Sequence, residues 1–420
     1  MSRTLNNSKT DYNLETQLKN ANATDFPSIP TGMQNNTKSY PDKYDLLKTK
    51  LGSKHDLVEV MSTLCSLEHE IQNISINNTI LKGRDTLFLK GIFVRGLIPF
   101  LSFLKGCGLN PLTRINDELY DKIILLNKHG KEHVESVISR ASDLAKCIID
   151  KEHKFSPFEI FILLCAIQIH DIGNMYGRDN HTTSFESDFE RYAKESFIND
   201  AVLIKCIFNT AKVHGGKIRG NSDTIEAAGI RYKTTVLQID IRQRLLAAIL
   251  RFADELADDN TRALDIDISK IPEYSKIYHA YSNSLHTVRI EKEDKEDAYF
   301  VKLCYFMSIQ QAFCSYKKLK RESNGNIISI SLPLIREIIE RTKKMERERR
   351  YCSRHFLPYI ILKHIMVEIE IDLGGFEGLK RIVYTLEETG YPNEDIELPP
   401  TIEDNIASLE SEYATAGGVR

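Results

Sequence analysis

The chain has 420 residues, 42% of them apolar, and 56 Lys and Arg residues against 59 Asp and Glu, which gives a formal net charge of −3. This length and balance predict a globular protein of about two or three domains and exclude binding to nucleic acid or membranes through bulk positive charge. The eight cysteines are never closer than ten residues, so the sequence has no CxxC pair for zinc or redox chemistry and no disulfide framework.

The N-terminal part of the chain is polar. Residues 1–45 are rich in Asn, Thr and Ser, which predicts a disordered arm, and they lack the apolar stretch of a secretory signal. The best membrane candidate, residues 88–104, is interrupted by Lys90, Arg95 and Pro99. We therefore expect a cytoplasmic protein without a membrane span.

Residues 46–265 show helical periodicity almost throughout and predict a helical domain. Within them, residues 158–169 and 245–256 are apolar on nearly every face, which predicts two helices at the centre of the domain. The first of these helices is preceded by a capping-box pattern, Ser156 followed by Glu159.

Residues 266–395 have a different character and predict a smaller α+β domain. Four segments alternate with the period of a strand: 286–292, 299–306, 328–332 and 367–371. A long charged helix is predicted over residues 333–351, and its run at 343–350 mixes both signs, which is typical of a solvated helix face. Residues 396–420 are acidic and predict a flexible tail. The expected fold class is therefore mostly α, a helical bundle core followed by a smaller α+β region.

Charged residues interrupt the two apolar helices. His170 and Asp171 end the first, and Asp254 lies inside the second. Burying an unpaired carboxylate costs at least several kcal/mol, so these groups need partners, and a metal ion satisfies several of them at once. His129 and His133, four residues apart, share one helix face and could supply further ligands.

This ordered set resembles the HD phosphohydrolase superfamily, whose metal site uses one His, a His-Asp pair and a distant Asp on three helices. His133 lies in a segment similar to the family's first motif, residues 170–173 read HDIG, and residues 245–256 are similar to its last helix. The likeness covers residues 125–262. It implies an HD-type helical bundle that hydrolyses a phosphoester or phosphoanhydride, with a nucleotide as the expected substrate.

The resemblance also implies the ligands of one or two divalent ions. The expected ligands are His133, His170, Asp171 and Asp254, and the further candidates are His129, His181 and His214. For the last two, contact with a substrate phosphate or a surface position are alternatives, and for His129 the alternative is helix capping. Mixed imidazole and carboxylate ligands favour Mn, Fe, Co, Ni or Zn, with Mg allowed.

Catalytic roles are expected for Asp171, which could bridge two ions, and for His214, Arg178 and Lys212. The two cations are suited to contact a phosphate. Three more cations flank the proposed ligands: Lys217, Arg219 and Arg251. For each cation, an ordinary solvated surface residue is the alternative.

A narrower likeness joins residues 129–133, 178–181 and 251–256 to bacterial HD proteins found alone or alongside chaperone-like GHKL ATPases. Two alternatives to a nucleotide phosphohydrolase stay open, one from the wider superfamily and one from this narrower likeness. One is an HD-type nuclease for single strands, which the near-neutral charge disfavours. The other is a non-enzymatic sensor or scaffold that partners an ATPase in anti-phage defence. The sequence leaves open whether the chain forms a homo-oligomer.

Overall fold

A computed structural model describes the part of the chain that forms its core. The described residues are 112–114, 123–125, 131–149, 153–171, 182, 186–187, 189–190, 200–215, 217–218, 220–236, 239–263, 268–321, 326–374, 378–386, 396 and 398–415. The predicted arm, residues 1–45, and the apolar run at 88–104 lie outside them.

The first part of the fold consists of helices and two short antiparallel strand pairs. Its strands are β1 (Leu112–Arg114), β2 (Ile123–Leu125), β3 (Thr234–Val236) and β4 (Ile239–Ile241). Its helices are α1 (Lys131–Lys146), α2 (Pro157–Ile169), α3 (Ala201–Lys212), α4 (Thr224–Ala227) and α5 (Gln243–Leu256). Helix α5 packs against α1, α2 and α3, so the two apolar helices lie at the centre as predicted.

The start of α2 is fixed by the predicted capping box. The Ser156 hydroxyl accepts from the Glu159 backbone N–H, and the Glu159 carboxylate accepts from the Ser156 backbone N–H. The same carboxylate accepts hydrogen bonds from Nε and Nη2 of Arg242, at 2.9 and 2.8 Å, just before α5. The buried Glu159 therefore joins the beginnings of the two central helices.

The second part of the fold is built around a four-stranded sheet of order β10-β9-β6-β5. Strands β6 and β9 are parallel, and the outer pairs are antiparallel. Two 3-10 helices, Asn260–Arg262 and Ile268–Lys270, lead into it. The elements that follow are α6 (Lys276–Ser284), β5 (Leu285–Lys292), β6 (Tyr299–Ser308), α7 (Ile309–Phe313), β7 (Ser315–Arg321), β8 (Ile327–Pro333), α8 (Leu334–Phe356), β9 (Leu362–Asp372), β10 (Leu379–Leu386) and α9 (Pro400–Thr415).

The long helix α8 connects the two parts, because it packs against both α5 and β9. Alternate residues of the sheet strands are buried; Leu303 of β6, for example, lies between Val288 of β5 and Val367 of β9. Buried apolar residues from both parts form one continuous cluster. The domain boundary at residue 265 stays a prediction.

The predicted fold class was wrong. Helices make up about 52% and strands about 25% of the described residues, so the fold is α+β rather than a mostly α bundle. The four predicted strands are present, but β7 and β10 were missed, as were the short strands β1 to β4. Three-residue strands are too short to show alternation, and β7 carries Lys or Arg at four of its positions.

Two further expectations about charged segments were also wrong. Residues 400–415 of the predicted flexible tail form α9, whose Ile402, Ile406 and Leu409 are buried. The run at 343–350 is not simply a solvated face, because Glu346 and Arg349 are buried within it. No helix among the described residues combines the length and the apolar character needed to cross a membrane.

A buried histidine on α8 makes stability depend on pH. His355 is 5% exposed, and neither of its ring nitrogens has a hydrogen-bond partner among the described residues. Burial, with help from Arg354 and Arg244, lowers the pKa of His355 to about 4. A histidine in the unfolded chain has a pKa of about 6.5. The contribution of neutral His355 to stability is therefore complete above that pH and is lost as the pH falls towards 4.

We therefore expect His355→Phe to flatten the loss of stability in this window. The wild type should lose up to about 1.4 kcal/mol more per pH unit than the variant, because only the wild type takes up this proton on unfolding. Urea unfolding at several pH values between 4 and 7 measures the difference, with the exposed His286→Phe as control. Parallel curves for wild type and His355→Phe would contradict it.

Candidate metal centre

Four helix ends meet at one buried place and bring the predicted ligands together. His133 lies in the first turn of α1, and His170 and Asp171 directly follow α2. Asp254 lies in the last turn of α5, and His214 follows the end of α3 by two residues. All but Asp254 are buried, and the Asp254 side chain is 22% exposed, so the site opens to solvent on that side.

Three of these residues form a compact donor set. One ligand atom each from His133, His170 and Asp254 lie within 4.8 Å of one another. Nε2 of His133 is 3.2 Å from Oδ1 of Asp254, and Nε2 of His170 is 3.6 Å from the same oxygen. Two imidazole nitrogens and a carboxylate oxygen therefore converge on one point.

Asp171 connects this set to His214. Its Oδ2 is 3.7 Å from Nε2 of His133 and 3.5 Å from Nε2 of His170. Its other oxygen, Oδ1, is 3.7 Å from Nε2 of His214. The rings of His170 and His214 meet edge to face, with centroids 4.9 Å apart. The two oxygens of one carboxylate thus face different histidines.

Backbone carbonyls orient two of the imidazoles. Nδ1 of His170 lies 2.7 Å from the carbonyl oxygen of Ile167, and Nδ1 of His214 lies 2.7 Å from that of Ala211. In each pair Nδ1–H is the donor, because a carbonyl can only accept. The Nε2 atom, which faces the carboxylates, is therefore the atom left to bind a proton or a metal ion.

The electrostatics of the site favour positive charge. Burial alone would lower the pKa of His170, but Asp171 and Asp254 outweigh it and raise this pKa to about 9. Burial also opposes ionisation of Asp254, yet His133 and His170 hold the pKa of its carboxyl well below the usual range. Burial, reinforced by Arg262, lowers the pKa of His133. The Asp254 carboxylate is therefore ionised and the His133 imidazole neutral, which are the forms that bind metals, whereas His170 has to release a proton when a metal ion binds.

These residues fit a divalent metal ion. Nε2 of His170 is buried, and the carboxylate oxygens of Asp171 and Asp254 lie 3.5 and 3.6 Å from it, so among the described residues it makes no well-formed hydrogen bond. A buried polar atom without a hydrogen bond is costly, and an ion bound between it and the carboxylates would remove that cost. The cluster could hold a metal ion in the ordinary way for mixed nitrogen and oxygen ligands.

The other predicted site residues have different outcomes. His129, Arg178, His181 and Arg219 lie outside the residues that can be placed. Lys212 is in the last turn of α3, with its ammonium 5.7 Å from the centre of the Phe208 ring, two residues before His214. The roles of all these residues as ligands or catalytic groups stay predictions.

For Arg251, both interpretations were wrong. It is only 6% exposed, so it is not a solvated surface cation. Its guanidinium forms a bidentate ion pair with Glu348 of α8 and donates to Thr224 of α4, so it is not available to a phosphate. The partners Glu348 and Thr224 were not identified from the sequence, since they lie 97 and 27 residues from Arg251 without a local pattern.

Comparison with known proteins supports the HD assignment. The model of the HD-CE family matches residues 113–322, half of the chain, and this protein belongs to that family. The matched region includes all five residues of the site and the first two strands of the large sheet. A search of curated proteins and a search of solved structures found no match. The family match supports an HD-type domain and does not address an association with GHKL ATPases.

Proposed function

We propose that this protein is a metal-dependent phosphohydrolase that cleaves a phosphoester or phosphoanhydride bond of a nucleotide. The observation that carries the proposal is the convergence of His133, His170 and Asp254 on one buried point beside Asp171. The HD-type domain supports the same chemistry. A scaffold alone has no need of buried carboxylates at the ends of apolar helices, since each costs free energy to desolvate.

His133, His170, Asp171 and Asp254 would hold one ion, and Asp171 with His214 would serve a second. The imidazole and carboxylate ligands favour Mn, Fe, Co, Ni or Zn, with Mg a weaker candidate. When bound, such an ion supplies Lewis-acid activation of water and neutralises charge that develops on the phosphate.

The remaining chemistry is proposed for His214, Lys212 and Arg178. If Asp171 and His214 do not bind a second ion, Nε2 of His214 can accept or give up a proton beside Asp171, because its Nδ1–H stays on the Ala211 carbonyl. Lys212, two residues before His214, would bind a substrate phosphate, and Arg178 is proposed for the same task. The buried apolar helices that carry the ligands lower the local dielectric and strengthen these charge interactions.

The test is metal-dependent turnover by the purified full chain. Chelator-treated protein is given Mn²⁺ and a panel of nucleoside mono-, di- and triphosphates, cyclic nucleotides and a labelled single-stranded oligonucleotide. We expect phosphate release or cleavage that requires Mn²⁺ and falls at least about a hundredfold in Asp171→Asn, because an anionic ligand is lost at the reacting centre. The half-exposed Asp143→Asn on α1 is the matched control and should retain activity.

Each outcome distinguishes a candidate function. Turnover of the oligonucleotide alone would favour the nuclease. Metal-dependent turnover that survives in Asp171→Asn, or no turnover of any substrate with Mn²⁺ bound, would contradict the phosphohydrolase. In the last case we would infer a metal-binding sensor or scaffold, for which an ATPase is the proposed partner.

A further inference from the structure

Arg251 connects three parts of the structure from the middle of the HD-type core. It lies one turn before Asp254 on α5. Its Nε and Nη2 donate to Oε2 and Oε1 of Glu348 on α8, at 2.6 and 2.9 Å. Its Nη1 donates to Oγ1 of Thr224 on α4 at 2.7 Å. The guanidinium also lies 4.0 Å from the centre of the Tyr351 ring. A planar guanidinium bound at both edges and on one face has a fixed orientation.

Thr224 passes this constraint to the turn that carries His214. Its hydroxyl accepts from Arg251 and donates to the carbonyl oxygen of Val213 at 2.7 Å. Val213 directly precedes His214, whose Nδ1–H is held by Ala211 in the same turn. Both Thr224 and Val213 are fully buried, so water cannot easily replace a lost bond. The backbone on one side of His214 is therefore tied to α5 through two hydrogen bonds.

Helix α8 also binds α4 directly. The Tyr351 hydroxyl accepts from the backbone N–H of Ile225 at 3.1 Å and donates to Oδ1 of Asp223 at 2.9 Å. Arg354 forms an ion pair with Oδ2 of Asp223 at 2.6 Å. Since α8 lies outside the region that carries the ligands, the α+β part of the chain supplies one side of the frame around the site.

We propose that Arg251 is a positioning residue for the metal centre, and that Glu348 of α8 holds it in place. Asp254 lies on the same helix as Arg251, and Arg251 is linked through Thr224 to the turn that carries His214. The ion pair between Arg251 and Glu348 therefore fixes the position of Asp254 relative to His214. The α+β part of the fold thereby completes the metal site without supplying a ligand. The inference rests on the proposed metal-binding role of His133, His170 and Asp254. Groups that orient metal ligands are worth about 10- to 100-fold in metal affinity.

Metal affinity is the first measurement. Titration of metal-free full chain with Mn²⁺ should show Kd raised about tenfold or more by Glu348→Gln and by Arg251→Lys, since each breaks the bidentate pair. Glu403→Gln is the matched control, because it removes an ion pair between Arg336 of the same helix and α9. The visible spectrum of the Co²⁺-loaded protein, which reports ligand geometry, should change in the first two variants only.

A double-mutant cycle separates positioning from general destabilisation. If Arg251 acts through His214, then Arg251→Lys should raise the Mn²⁺ Kd by no more than about twofold in a His214→Ala background. Hydrogen exchange of residues 213–215 in the metal-free protein should quicken in Arg251→Lys and not in Glu403→Gln. Additive effects on Kd, or unchanged exchange, would overturn the inference. Failure of the wild type to bind Mn²⁺ would instead contradict the proposed function. The hydrogen-exchange measurement would still test whether Arg251 holds the turn at residues 213–215 in place.

Discussion

Replacing His170 with alanine is expected to lower the affinity for Mn²⁺ by more than about a hundredfold. The residue supplies one of the three converging donor atoms. Even the loss of a group that only orients a metal ligand lowers metal affinity about 10- to 100-fold. Its Nε2 lies 3.5 Å from Asp171 and 3.6 Å from Asp254, so its loss leaves two carboxylates facing each other across the space of the ring. Calorimetric titration of the metal-free protein measures the change.

The same substitution should remove the stabilisation that metal binding gives. Free Mn²⁺ at a hundred times the wild-type Kd should raise the free energy of unfolding of the wild type by about 2.7 kcal/mol, because the ion binds the folded state only. For His170→Ala we expect almost none of this increase at the same concentration. His286→Ala is the control, since this exposed histidine on β5 contacts the ring of Phe306. Equal stabilisation of wild type and His170→Ala would show that Mn²⁺ binds elsewhere.

Three candidate ligands, His170, Asp171 and Asp254, were predictable from the sequence because each contradicts its surroundings, whereas His133 was chosen by its spacing and by the family resemblance. His170 and Asp171 follow thirteen helical residues of which only Glu159 and Gln168 are polar, and Asp254 lies between buried Phe252 and Leu256. A charge in such a segment must be paired, and two such segments in one chain have few ways to pair except with each other. The helices were predictable for a similar reason, since their periodicity and their caps are local.

The connections around the ligands were not predictable, because they depend on tertiary packing. Arg251 was expected to face solvent or a phosphate, and its actual partner, Glu348, is 97 residues further along the chain. The segment 343–350 has the composition of a solvated helix face, yet α8 is packed on both sides, against α5 and β9. Composition gives the average exposure of charged residues and cannot identify the few that are buried in pairs.

The fold class was mispredicted for a related reason. Strand β10 was not recognised from its sequence, although its Ile382, Tyr384 and Leu386 are buried on one side of the sheet. The exposed Val383, between Ile382 and Tyr384 in the same strand, breaks the alternation of apolar and polar residues that would have indicated a strand. Helix α9 has a weak apolar face of buried Ile402, Ile406 and Leu409 between acidic residues, so its composition is close to that of a flexible tail.

The buried charges of α8 should make a large contribution to stability that appears only when one partner is removed. Glu346 and Arg349 are at most 1% exposed, and they share two hydrogen bonds of 2.7 Å. Nη1 of Arg349 also donates to the carbonyl oxygen of Leu362 at the start of β9, at 2.5 Å. Arg350 donates to the same carboxylate at 2.9 Å. Glu346 therefore neutralises the cation that joins α8 to the sheet.

We expect Glu346→Ala to lower the free energy of unfolding by about 3–5 kcal/mol, because it leaves the buried guanidinium of Arg349 without its carboxylate. The double variant Glu346→Leu/Arg349→Met should recover much of this loss, since apolar residues of similar size need no charged partner. In contrast, Glu403→Gln breaks the partly exposed ion pair between Glu403 of α9 and Arg336 of α8, and it should cost less than about 1 kcal/mol. Urea unfolding of the metal-free protein measures all three. If Glu346→Ala costs no more than Glu403→Gln, the buried pair does not anchor α8 to the sheet.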